Sequence, residues 1–128
     1  MRLGAGRWIL ACCLVMLSGS ALAVSLSHSL KNYYAEYEIV LHCQTLSQLN
    51  ADDAEAAKAA IAKIEAYYLN KDSSIDKTPL LKAAIADKNE GFRILARSGP
   101  SGLRPYCRQS LHELLTKVEE IGPVASGQ

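Results

Sequence analysis

Apolar positions recur at the three-and-four spacing of helices in four blocks, separated by short polar or glycine-proline stretches. After a short polar lead, Val24–Lys31, the first block begins near Ser29 and runs to Leu49, with Leu30, Tyr33, Tyr37, Val40 and Leu41 on one stripe. From Ile39 onward the stripe widens, so the upper part of this helix is expected to be covered on more than one side. Asn50-Ala51-Asp52-Asp53 reads as a turn, with Asp52 or Asp53 capping a second helix that reaches Leu69. Ala54, Ala57, Ile61, Ile64 and Tyr68 form its inward face, and Glu55, Lys58, Lys63 and Asn70 lie opposite.

The polar stretch Asn70–Lys77 breaks that pattern, and Thr78-Pro79 predicts an N-cap followed by proline at the first helical position. A third helix over Pro79–Arg97 carries Leu81, Ala84, Ile85, Phe92 and Leu95 as its stripe. Gly91 inside it costs about 1 kcal/mol relative to alanine, or marks a close helix contact. Ser98–Gly102 stops this helix. A fourth runs from Leu103 or Pro105 to Ile121, with Leu103, Cys107, Leu111, Leu114, Val118 and Ile121 inward, and Gly122-Pro123 ends it. Four helices with short connections predict an all-α fold, a small antiparallel four-helix bundle occupying residues 24–122 as a single domain. Residues 123–128 are expected to form a flexible tail.

Composition changes this picture at the N-terminus. Arg2 and Arg7, the apolar run Trp8–Leu17 and the small-x-small site Ala21-Leu22-Ala23 read as a secretory signal peptide over residues 1–23, cleaved before Val24. The run is too short to span a membrane well. Its removal takes Cys12 and Cys13 and lowers the basic count from 14 to 12 against 13 acids, leaving a nearly neutral chain. Nucleic acid is therefore not an expected partner, and neither is stable membrane insertion after cleavage. The surviving pair, Cys43 and Cys107, reads as a disulfide in an exported chain. Cys43 lies near the top of an ascending first helix and Cys107 near the top of a descending fourth. Neighbouring first and fourth helices therefore bring the two together. Closing a loop of this length stabilises the fold by roughly 4 kcal/mol in the chain-entropy picture. Asn32, Asn50, Asn70 and Asn89 all lack a glycosylation sequon, which favours a bacterial periplasm over a eukaryotic secretory route.

Two clusters carry candidate chemistry. Tyr33, Tyr34, Tyr37, Tyr67 and Tyr68 fall towards one pole of the bundle, where they could line a ligand site or form a partly buried aromatic lid with hydroxyls in water. Arg93, Arg97, Arg104 and Arg108, the arginines of the mature chain, fall at the opposite pole, around Ser98–Gly102 and the start of the fourth helix. They could hold an anion or an acidic partner, or pair with Asp52, Asp53 and Glu55 at the same pole. His42 and His112 project off the stripes that carry the cysteines, and no CxxC or HxxxH spacing occurs, so no metal site and no cofactor are expected. No paired carboxylates, nucleophile elbow or phosphate-binding glycine loop is present, so no enzymatic activity is expected. The expectation is a small exported, non-catalytic binding protein, periplasmic or secreted, contacting another protein or an anionic envelope component. Two alternatives are a chaperone opened by acid or reduction, and a small-ligand carrier using the tyrosine pole.

Overall fold

The computed structural model describes residues 26–126, so the proposed signal peptide lies outside the described residues. Four helices account for nearly all of them: α1 over 26–45, α2 over Ala51–Lys71, α3 over Lys77–Arg97 and α4 over Leu103–Ser126. They form the antiparallel bundle that the periodicity predicts. A single 3₁₀ turn, Pro100–Gly102, leads into α4. Gly122, at φ 70°, breaks α4 where the glycine-proline pair predicts a stop. The backbone then returns to helical geometry as far as Ser126.

The helix ends differ from the sequence expectation by a few residues, each for a local reason. α1 is already helical at residue 26, within the stretch read as a polar lead, and stops at residue 45 rather than 49. Ser47 takes a left-handed conformation at φ 60°. The Ser47 amide donates to the Gln44 carbonyl and the Gln48 amide to the Cys43 carbonyl, both at 3.0 Å, which closes a Schellman motif. Asn50 caps α2, not Asp52 or Asp53. Its side chain accepts from the Asp53 amide at 2.8 Å while the Asp53 carboxylate accepts from the Asn50 amide at 3.0 Å, a reciprocal capping box. Asp76 caps α3 through the Thr78 amide at 3.1 Å, which moves Pro79 to the third helical position. Proline is still accommodated there, because the first four helical amides have no intrahelical acceptor.

α1 and α4 are the central antiparallel pair. Cys43 and Cys107, both fully buried, are joined as a disulfide with Cα atoms 5.8 Å apart. α2 packs along α4 and touches α1 through Tyr34–Glu65 and Tyr33–Tyr68. The core between these three helices is made by Leu30, Val40, Ile64 and Leu114, with Ala57 and Ala60 allowing the close approach of α2. α3 lies on the other flank. It reaches α1 through Lys31–Asp87 at 2.7 Å and through His42 packed edge-on to Phe92, and it reaches α4 through Phe92–Tyr106. Of α3's expected stripe only Ala84 is buried, while Leu81 and Ile85 remain 39% and 43% exposed. The face that packs is rotated towards Leu80, Ala84, Lys88 and Phe92, leaving Leu81 and Ile85 at its edge.

Candidate functional site

The pole where α1 and α3 end and α2 and α4 begin is built by the terminators just described. The left-handed turn at Ser47 and the Asn50 cap fold the α1–α2 connection against the first turns of α4. Gln44, Ser47, Gln48, Asn50 and Asp53 then line a polar cleft of about 480 Å³ together with Arg104 and Arg108. Beside it, Phe92, Leu95, Ala96, Gly99, Pro100 and Leu103 line an apolar recess of about 270 Å³. Leu103 lines the recess and its neighbour Arg104 lines the cleft, so the two open on neighbouring faces of the start of α4. Gly99, at φ 88°, supplies the left-handed turn that carries the chain from α3 into the 3₁₀ turn.

The four arginines do not form one cluster. Arg93 is bound by Glu90 one turn earlier on its own helix, through Nε at 2.8 Å and through a second, shorter contact. That bond holds the exposed Glu90 carboxyl below its ordinary range and raises the Arg93 guanidinium. Arg104 and Arg108 share the cleft, and neither Arg93 nor Arg97 lines it. Asp53 is engaged in the α2 cap, and Asp52 and Glu55 are exposed. Among the described residues, no carboxylate forms an ion pair with Arg97, Arg104 or Arg108. Of the acids of α2, Asp53 shares the cleft with Arg104 and Arg108 without forming an ion pair with either.

The tyrosines divide in two. Tyr33, Tyr67 and Tyr68 surround the Lys117 ammonium, with ring centroids at 5.7, 5.4 and 5.6 Å. Tyr67 and Tyr68 meet edge to face at 5.2 Å, and Glu120 lies 3.4 Å from the Lys117 nitrogen. Such a cage attracts a cation through the negative faces of the rings, and here the cation is the chain's own lysine. Burial lowers the Lys117 pKa, and Tyr68, Tyr33 and the Glu120 bond more than restore it, so it sits above its ordinary value. Burial raises Tyr33 despite the opposing charge of Lys117. Tyr34 turns away and donates to Glu65 at 2.6 Å; burial and that bond raise its pKa. Tyr37 stands apart from the cage, raised by burial and by the nearby Glu38 and Glu55.

A third cleft, of about 440 Å³, runs between α1, α3 and α4 and is acidic, with Glu36, Asp87 and Glu113 on its walls. Burial raises the Glu36 pKa, opposed by the nearby hydroxyl of the buried Ser110 and reinforced by the charge of Glu113. The sequence did hold a signal for this pair. Glu36 falls on the inward line between Tyr33 and Val40, and Ser110 falls between Cys107 and Leu114. Asp87 on the same cleft is already bound to Lys31.

His42 is occupied by its packing on Phe92 at 4.4 Å and His112 is exposed. Among the described residues, no group of three histidine, cysteine or carboxylate side chains is placed to hold a metal ion. No helix among them is long and apolar enough to cross a membrane. No family model, curated protein or solved structure matches the chain.

Proposed function

We propose that the chain is a small exported, non-catalytic binding protein that takes an anionic partner at the pole where α4 begins. The observation that carries this reading is the polar cleft holding Arg104 and Arg108, whose guanidinium groups have no carboxylate bound to them among the described residues. Arginine is suited to this task because its planar fork meets carboxylate and phosphate with two parallel hydrogen bonds. A charged contact at an open rim governs encounter rate and salt dependence first, and affinity second.

The acid-opened chaperone has less support. Glu36, the half-buried carboxyl, has a raised pKa, so protonating it stabilises the folded state. The carboxyl held below its range, Glu90, is exposed on one helix and ties no two helices together. Reduction has little purchase either, since both half-cystines are fully buried.

The test is capture of envelope components by the mature chain, compared with an Arg104→Glu/Arg108→Glu variant and with a Lys58→Glu/Lys82→Glu variant of equal net charge. A partner lost only with the first variant, and released by salt, supports the reading. Equal loss with both, or with neither, refutes it. Export is tested separately, by sequencing the N-terminus of protein recovered from the periplasm: it should begin at Val24, and retention of Met1 would refute cleavage.

A further inference from the structure

We infer that the partner is an acidic peptide segment carrying one bulky apolar side chain, which seats in the recess beside the arginine cleft. This rests on the anionic-partner reading and specifies what kind of anion it is. The first ground is adjacency. Leu103 and Arg104 are consecutive and about 100° apart around the helix axis, so the recess and the cleft open on neighbouring faces of the start of α4. A segment laid across that end spans both the apolar wall and, one turn on, the second guanidinium group. Free phosphate or a simple carboxylate would leave the apolar wall unused.

The second ground is size. At about 270 Å³ the recess lies just below the roughly 300–1,000 Å³ of pockets that enclose whole small ligands. It matches a socket for one anchor side chain, the arrangement in which interfaces concentrate their binding energy. Its floor is set: Phe92 is held between His42 at 4.4 Å and Tyr106 at 5.4 Å. Its mouth is open, since nothing approaches within 4 Å of the Cβ position at Gly99. The third ground is charge complementarity. Arg104 and Arg108 stand one helical turn apart, about 6 Å along the axis. Carboxylates on alternate residues of an extended segment are about 6.6–6.8 Å apart and can engage both. A membrane surface would offer charge but no side chain for the socket.

The test uses two labelled heptapeptides, one with a phenylalanine followed by glutamates at alternate positions, the other with alanine replacing the phenylalanine. A third probe is a phosphatidylglycerol vesicle. The native protein should bind the phenylalanine peptide at least tenfold more tightly than the alanine peptide, and both more tightly than the vesicle. Ala96→Phe, a substitution at an exposed position that fills the recess, should abolish the tenfold preference while helical circular dichroism is retained; Ala96→Leu should reduce it. Arg104→Glu/Arg108→Glu should weaken both peptides at least tenfold. Equal affinity for the two peptides, a preference that survives Ala96→Phe, binding of the vesicle alone, or no peptide binding would each overturn the inference. If the peptides bind equally yet charge reversal still weakens both, the anionic pole stands and only the socket is wrong. If charge reversal changes neither peptide, the pole itself falls.

Discussion

Replacing Gly91 by alanine should destabilise this protein, although alanine is the better helix former by about 1 kcal/mol. Gly91 lies inside α3 where that helix meets α4. A Cβ built there collides with the Tyr106 hydroxyl, and the ring carbon behind it lies at 3.4 Å. Tyr106 cannot easily swing aside, because its ring packs edge-on against Phe92 at 5.4 Å and 83°. Overpacking of this kind costs about 1–3 kcal/mol. Set against the propensity gain, the net loss is about 0–2 kcal/mol. In a Tyr106→Phe background the colliding oxygen is gone and the remaining 3.4 Å contact is ordinary. There Gly91→Ala should stabilise by about 1 kcal/mol. The assay is thermal unfolding of the four proteins of this cycle followed by helical circular dichroism. A domain of this size shifts its Tm by about 4–8 °C per kcal/mol. Gly91→Ala should therefore raise Tm only in the Tyr106→Phe background, with a coupling of about 1–3 kcal/mol between the positions. If Gly91→Ala raises Tm equally in both, α3 does not approach α4 through Tyr106, and the floor of the apolar recess is not held as described.

Tyr34→Phe removes a hydroxyl bonded to Glu65 at 2.6 Å and should cost about 1.5–3 kcal/mol, towards the lower end because Glu65 is partly solvated. The folded state holds the Tyr34 proton more tightly than the unfolded chain, so stability is full below the ordinary tyrosine range and is lost as pH rises through and above it. Chemical denaturation at alkaline pH should show a shallower loss in the variant. Lys117→Met keeps the stem and removes the caged cation, and should cost about 0.5–2 kcal/mol in denaturant midpoint, with little dependence on salt. Glu36→Gln should stabilise the protein at neutral pH, where the half-buried carboxylate is charged. The advantage should vanish as pH falls through the raised Glu36 range to below the ordinary carboxylate range, because the folded state then gains the proton. A gain that persists in acid would mean the effect is not ionic.

What could be read from the chain beforehand was whatever a helix period or an export context fixes. The buried face of α2 and the inward line Cys107–Leu111–Leu114 follow from spacing, and the tie between Cys43 and Cys107 from the expected export of the chain and the order of its helices. Ends were harder, because their signals were shared with other residues. Serine at the left-handed position of α1 carries none of the glycine signature. Asn50, Asp52 and Asp53 all look like caps, and the reciprocal pair of bonds alone selects Asn50. The rotation of α3 was invisible, since Leu81 and Ile85 look as core-forming as Ala84 until the crossing with α1 is known. At the candidate site, the position of the arginines was legible but their division was not. Arg93 turns to Glu90, an intrahelical choice, whereas Arg104 and Arg108 meet the α1–α2 turn. Lys117 falls between the inward Leu114 and Val118, and nothing in its spacing announces that three tyrosines enclose it.

The lysine cage and the disulfide sit at opposite poles: the cage fastens α1, α2 and α4 together, and the disulfide fastens α1 to α4. Lys117 of α4 is held by rings from α1 and α2, while sulfur joins α1 to α4 at the far end. α3 has neither fastening and buries only Ala84 completely. Its free energy of detachment should therefore lie well below that of global unfolding, making it a separate foldon. In native-state hydrogen exchange, the amides of α3 should be released together while those around Leu30, Ile64 and Leu114 stay protected. The recess, walled on one side by α3, would then be a feature the protein can dismantle and rebuild without losing the rest of its structure.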